Sequence, residues 1–376
     1  MVVLFFTIIN LYFLSIGILI YGFDKIKVFE AKNSVPKTKF SIIVPFRNEE
    51  QNLPVLLESL SNLNYPTDFF EVILVDDNSE FRFQNLDFRF KIVVVDNVRT
   101  SNSPKKDAIS TAIPLANYEW IITTDADCIV KKNWLFVLDQ FIHLGNSEMV
   151  CGAVTYKCQN TFLHHFQQLD FASLQGATIG SFGINKPFMC NGANFAYTKK
   201  LFLTLNGFKG NEIIASGDDV FVLQKAVEQF PEKVSYLKSF ETIVTTKPLN
   251  NWKDLFHQRV RWASKTKVYE SNFGKILGLI VLCGNLGFIF LLGALFSFLF
   301  SLCSCSYSLN AIFYLIFFGI LFLKFFVDYS LIQKTQNFLQ AKSKYILLSS
   351  FLYPFFSVAV AIYSLFGKYY WKGRRF

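Results

Sequence analysis

Apolar and polar positions divide the chain into three stretches of different rhythm. Residues 2–23 are almost wholly apolar and uncharged. About 20 such residues cross the hydrocarbon core of a bilayer as a helix. Lys25 and Lys27 follow directly, and a basic flank tends to stay in the cytoplasm. No basic run precedes the stretch and no small-residue cleavage site follows it. A retained anchor is therefore expected rather than a removed signal peptide. From residue 40 to about residue 240 the rhythm is that of an α/β domain. Residues 41–45, 72–75, 92–95 and 120–124 are short β-rich runs, and residues 49–63 carry Leu53, Leu56, Leu57 and Leu60 at helical spacing. Strands alternating with helices predict a parallel sheet covered on both faces. In such sheets the ligand sits at the carboxyl ends of the strands. The last third returns to apolar runs at 276–300, 311–326 and 345–366, each long enough or nearly so to span.

This pattern divides the chain into an N-terminal membrane helix (1–24), a polar linker at 33–39, a catalytic domain (36–250), an interfacial helix (251–274) and a C-terminal membrane region (275–376). Composition agrees, with 52% hydrophobic residues and 45 Phe, more than a soluble domain usually carries. The net charge of +9 suits an anionic membrane surface, an anionic substrate or nucleic acid without choosing among them. The seven cysteines, from Cys128 to Cys305, form no C-x-x-C pair. Free thiols are expected, not a zinc site or a disulfide framework. One conflict stands out. If all three late segments cross, a cytoplasmic catalytic domain leaves the C-terminus outside, yet Lys368, Lys372, Arg374 and Arg375 favour a cytoplasmic end. A late segment that is re-entrant or lies in the interface would remove it, and Pro354 marks the last one as the candidate.

Two acidic pairs fall where the sheet should bind its ligand. Asp76–Asp77 follow one strand, and Asp125-Ala-Asp127 follow another. Either pair alone could build a turn. Together they can hold Mg²⁺ or Mn²⁺, which take oxygen ligands and bridge phosphates. Ser216-Gly-Asp-Asp219 precedes an apolar helical stripe. It reads as an N-cap and equally as a general base at a helix start, and the two are compatible. Gln258, Arg261 and Trp262 fall at i, i+3 and i+4, on one helix face. They suit a diphosphate clamp with a closing ring, or a juxtamembrane anchor. Lys105–Lys106 could meet donor phosphates, and the turn-rich Cys190-Asn-Gly-Ala-Asn194 could line a pocket. His164–His165 have no acidic neighbours at ligand spacing and are given no role.

Taken in order, these pieces resemble the family 2 inverting glycosyltransferases, which include cellulose and hyaluronan synthases, dolichyl-phosphate sugar synthases and ceramide glucosyltransferase. The resemblance covers residues 40–262. It rests on Ser-Ile-Ile-Val-Pro-Phe-Arg-Asn-Glu at 41–49, Val-Asp-Asp-Asn-Ser at 75–79, Asp-Ala-Asp at 125–127, Asn-Gly-Ala-Asn at 191–194, Asp-Asp at 218–219 and Gln-Arg-Val-Arg-Trp at 258–262. It implies an α/β, GT-A-type nucleotide-sugar-binding domain with a mixed, mainly parallel sheet, joined to transmembrane helices. It places Pro45, Arg47, Glu49, Asp76, Asp77, Lys106 and Asp125 on the donor and Asp127 on its metal, Mg²⁺ or Mn²⁺. Asp219 matches the base, with Asp218 as the alternative. Asn191, Gln258, Arg261 and Trp262 match the diphosphate and acceptor end. The implied partners are a nucleotide-sugar, usually UDP-linked, a lipid or glycan acceptor, and the membrane, with no nucleic acid. The implied location is the cell membrane, multi-pass, with the catalytic domain cytoplasmic. Two departures bear on the acceptor. Asp218 stands where the family usually has Glu, and three late segments are fewer than polymer-exporting synthases carry. Transfer of one sugar to a lipid or membrane-associated glycan is therefore expected, with a processive polysaccharide synthase as the alternative. A transporter with a nucleotide-binding domain is disfavoured, since the late segments carry only Lys324 and Asp328 near one edge.

Overall fold

The computed structural model describes residues 2–32, 34–82, 88–211, 214, 216–303, 311–367, 370–371 and 374–375. Asn33, Cys305, Lys368 and Lys372 lie outside the described residues. The chain opens with α1 (Val2–Lys25), followed by β1 (Phe40–Phe46), α2 (Leu53–Ser61), β2 (Phe70–Asp76), β3 (Lys91–Asp96), α3 (Pro104–Ala112), β4 (Trp120–Thr123) and α4 (Trp134–Leu144). Next come β5 (Met149–Gly152), β6 (Val154–Tyr156), α5 (Phe162–Gly183), β7 (Phe195–Thr198), α6 (Lys199–Thr204), α7 (Val220–Gln229), β8 (Val234–Leu237), β9 (Val244–Thr246) and α8 (Trp252–Ser264). The last third holds α9 (Asn272–Cys303), α10 (Ala311–Leu339), α11 (Ile346–Phe366) and a hairpin of β10 (Tyr370–Trp371) and β11 (Arg374–Arg375).

Seven strands form one sheet in the order β3-β2-β1-β4-β7-β5-β8. β1 runs parallel to β2 and β4, and β2 to β3. β7 is antiparallel to both neighbours, so the sheet is mixed. An antiparallel strand starts where its neighbour ends. β7 therefore delivers the turn before it, residues 191–194, to the carboxyl edge of β4, where Thr123 Oγ1 donates to Gly192 O at 2.8 Å. Along β1 the side chains alternate between two cores. Phe40, Ile42, Val44 and Phe46 join Leu53, Leu57 and Leu60 of α2 and Trp134 of α4, while Ile43 faces Ala108 and Ile109 of α3. The period of two of a pleated strand produces that split. The expected helix at 49–63 begins only at Leu53, because Pro54 belongs in a first turn.

The second core does not stop at the α/β domain. It takes in Leu19 and Phe23 of α1, Ala172 and Ile179 of α5, and Leu331 and Phe338 of α10. The helix α5 was not foreseen from the apolar pattern, since it is buried nearly all round and shows no polar face. It crosses α1 at very close range. A Cβ on Gly22 would stand 2.1 Å from Gly180 O, and one on Gly183 would stand 1.8 Å from Gly22 O.

Among the described residues, four helices are long and apolar enough to cross a membrane: Phe5–Lys25, Asn272–Ser297, Leu315–Leu339 and Ile346–Phe366. The third extends well past the apolar run at 311–326 and carries Lys324 and Asp328 inside it, paired at 2.7 Å, rather than near its edge. The fourth behaves differently from the rest. Its start lies against α5, with the Tyr345 ring 5.7 Å from Phe162. Its middle packs on Phe166 and Trp252 through Phe356, and Tyr363 near its end lies 5.4 Å from Phe256 of α8. β10 then passes against α8, and Arg374 reaches Asp77 of the α/β domain. The start of α11 thus lies on α5, its end lies on α8, and Arg374 beyond it meets the α/β domain at Asp77.

Candidate active site

The carboxyl edge of the sheet opens into a cavity of about 610 Å³. Its floor is made of Pro45, Arg47, Glu49 and Asp77 from the first two strand ends, Asp125 and Asp127 after β4, Asn191, and Asp218 and Asp219 before α7. Gln258, Arg261 and Trp262 of α8 close one side, all three on the face that their spacing predicts. Two expected residues are absent from it. Asp76 ends β2 and accepts from Ser79 N at 2.9 Å, which holds the turn. Lys106 is buried beneath the site and donates to Asn211 O and Ile214 O at 2.7 and 3.0 Å. Its neighbour Lys105 takes the position expected of it. Consecutive residues in the first turn of α3 point about 100° apart, so only one can face the cavity.

Lys105 is the hub of the floor. Its Nζ lies 2.6 Å from Asp125 and 3.1 Å from Asp218. Burial opposes its charge, but Asp125 and then Asp218 outweigh burial and hold it protonated. Asp219 is the N-cap of α7 and accepts from Val220 N at 2.7 Å and from Gly192 N at 2.9 Å. Burial would raise its pKa, yet Lys265, Lys105 and these two amides bring it below the ordinary carboxylate value. Asp218 moves the other way. Burial raises it, Lys105 only partly offsets this, and the charges of Asp219 and Asp125 add to the rise. Neighbouring carboxylates with opposed shifts have distinct acid–base roles, the ionised one being fit to accept a proton. Gly192 leaves them room, since a Cβ there would lie 2.8 Å from Asp218 Oδ2 and the Asp218 side chain would have to shift.

Residues 41–205 match the model of Glycosyl transferase family 2. The chain carries a family 2 glycosyl transferase domain. That match includes the strand ends and the 191–194 turn and ends before Asp218, so the base position and α8 rest on geometry. The chain is 26% identical over 240 residues to a probable glycosyltransferase, YdaM, of Bacillus subtilis (strain 168), covering 60% of this chain and 54% of the relative. It is 25% identical over 281 residues to a poly-beta-1,6-N-acetyl-D-glucosamine synthase of Staphylococcus epidermidis, covering 69% of this chain and 63% of that protein. A beta-monoglucosyldiacylglycerol synthase of Trichormus variabilis is 31% identical over 111 residues, 28% of this chain and 23% of its own. The chain thus spans between half and two thirds of the first two relatives. A mannosyltransferase of Pyrobaculum calidifontis, solved with GDP-Man and Mn²⁺, shares the fold with a TM-score of 0.56 at 16% identity over 96% of both chains.

Within this glycosyl transferase domain, Asp127 is a carboxylate that could hold a divalent ion. It lines the cavity and accepts from Thr246 Oγ1 at 2.9 Å. Among the described residues no three His, Cys, Asp or Glu side chains form a protein cage for a metal. The hard ions bound with nucleotides commonly use one or two carboxylates plus the phosphates themselves, and the donor set here fits that mode.

Three residues of the site escaped the sequence reading. Arg259, inside the Gln-Arg-Val-Arg-Trp motif, is 5% exposed and pairs with Asp170 of α5. Its guanidinium stacks 4.2 Å from the Trp262 ring and donates to Gln258. These contacts tie the motif to α5, and a lone Asp170 in that helix was the signal for it. Lys265 lies four residues after Arg261 and 3.7 Å from Asp219, so the helical spacing already placed it on the cavity side.

Proposed function

We propose that this protein is a membrane-bound inverting glycosyltransferase that moves one sugar from a nucleotide-sugar, UDP-linked in the first instance, to a lipid or membrane-associated glycan acceptor. The observation that carries the reading is the reach of the cavity. The same space that touches Asp127 and Asp219 is lined further on by Tyr12 and Leu19 of α1, Leu277 and Val281 of α9, Asp328 and Leu331 of α10, and Ser349 and Tyr353 of α11. An acceptor anchored among these helices can therefore present a hydroxyl to the strand ends. Asp219, held ionised, takes that hydroxyl's proton as the oxygen attacks the anomeric carbon. Arg261 and Lys105 line the side where the diphosphate departs, and their charge favours the leaving group. A divalent ion on Asp127, when bound, neutralises the same diphosphate. Attack from the face opposite the leaving group inverts the anomeric configuration. Trp262, stacked on Arg259, shields the reacting centre from water.

In membrane terms, α1, α9 and α10 cross and α11 lies along the inner interface, so the α/β domain and the C-terminus share the cytoplasmic face. Three crossing helices support single transfer. The likeness to a polymer synthase of Staphylococcus epidermidis favours a second reading, processive synthesis. The test uses detergent-purified protein, a panel of UDP- and GDP-sugars, Mg²⁺, Mn²⁺ or EDTA, and a lipid extract. Metal-dependent nucleotide release with one donor and one sugar per acceptor is expected. A polymer product would establish the second reading, and absence of donor binding across the panel would sink both.

A further inference from the structure

Asp77 is built into the floor on one side and tied to the far end of the chain on the other. Its Oδ1 accepts from Asn97 Nδ2 at 2.8 Å and from Arg99 Nη1 at 3.2 Å. Its backbone carbonyl accepts from Arg47 at 2.7 Å. Arg99 is itself fixed by Asp107 at 3.1 Å. The remaining oxygen, Oδ2, accepts from Arg374 Nη1 at 2.7 Å, across 297 positions of sequence. The two partners are unequal. The Asp77 side chain is 8% exposed, while that of Arg374 is 28% exposed. The carboxylate is held from within the domain, whereas the arginine arrives on a short hairpin and can exchange with another donor.

We infer that the C-terminal hairpin is a strap across the nucleoside end of the donor site, and that Arg374 competes with the incoming nucleoside for Asp77. This rests on the donor-site reading above. Asp77 lines the cavity beside Pro45, Arg47 and Glu49, and a base or ribose that donates to its Oδ2 must first replace Arg374. Arg374 reaches this carboxylate because the end of α11 lies on α8 and β10 passes against the same helix. The strap therefore joins the two parts of the site, the first strand ends and the Gln-Arg-Val-Arg-Trp helix. In the donor-free protein Arg374 is the second arginine on a carboxylate that Arg99 already holds.

The full-length protein in detergent tests this by titration with UDP and with GDP, comparing wild type, Arg374→Ala, Arg374→Lys and a chain ending at Gly367. A partly exposed pair of this kind contributes modestly, so Arg374→Ala and the shortened chain should bind nucleotide about two- to fivefold more tightly. Arg374→Lys should fall between them and wild type, and raising the salt should shrink the difference. In an Asp77→Asn background the gain from Arg374→Ala should vanish. Equal or weaker binding in both Arg374→Ala and the shortened chain overturns the strap and leaves the donor site standing. Failure of every form to bind any nucleotide removes the donor site and the strap together.

Discussion

At the floor of the cavity six charged side chains crowd together: Lys105, Asp125, Asp127, Asp218, Asp219 and Lys265. At its far end the same cavity is walled by Leu19, Leu169, Leu277, Val281 and Leu331 on four helices, with Lys324 and Asp328 paired among them. The floor encodes chemistry in residue type, because a proton acceptor and a diphosphate clamp each need particular groups. The helical end encodes shape and polarity, which many sequences satisfy. On the proposed function the division also sets two routes of approach, the nucleotide-sugar with its divalent ion to the floor and an acceptor held in the bilayer to the other end.

The strongest test of this division is Asp219→Asn. It should lower turnover by about a thousandfold, within the range of a lost general base, while nucleotide binding stays within about threefold. Near-normal turnover would move the base to Asp218. Next in size, Arg259→Met leaves Asp170 charged and buried without its partner, which costs about 3–5 kcal/mol. A fall in the unfolding temperature of the detergent-solubilised protein should report it, and Arg259→Lys should recover part of the loss. Asp127→Asn should weaken metal-supported donor binding about tenfold or more and leave binding in EDTA unchanged.

The pH profile sharpens the comparison further. Asp219 has a folded pKa below its unfolded value. Its ionised form therefore adds stability above the unfolded pKa, near 3.9, and that stability is lost as pH falls through the lower folded value. The acid limb of kcat that belongs to Asp219 should consequently lie below about pH 4. Lys265→Met removes the largest favourable charge on Asp219, so the acid limb of kcat should move to higher pH. An unmoved limb would detach Lys265 from the base. The smallest effect belongs to the helical end. Tyr353→Leu should raise the acceptor KM a few-fold and leave donor binding untouched, whereas an equal change in both would mean that the two ends are not separate.

The same contrast explains what could be read without coordinates. The strand ends were legible because short apolar runs followed by Asp–Asp or Asp-Ala-Asp carry both the fold and the chemistry. Gln258, Arg261 and Trp262 were legible from helical spacing. Lys106 misled because residue type alone does not say which of two adjacent lysines faces inward. Asp76 misled likewise, as the last residue of a strand points opposite to the next. Arg259 and Asp170 were hidden because each finds its partner across a tertiary contact. The packing of α11 on α5 and α8 was hidden in the same way, since Phe356 and Tyr363 meet their partners only in the fold.

The glycine crossing of α1 and α5 has a practical consequence. Gly22 and Gly180 bring two backbones within side-chain-free range, and Leu19 and Phe23 continue the core of the α/β domain. The N-terminal helix is thus a structural wall of the domain and not a detachable tether. A soluble expression variant made by cutting near residue 25 would expose Ile179 and Phe182 of α5 to water and invite aggregation. Material for biochemistry should keep the helix, in a detergent micelle or a lipid disc.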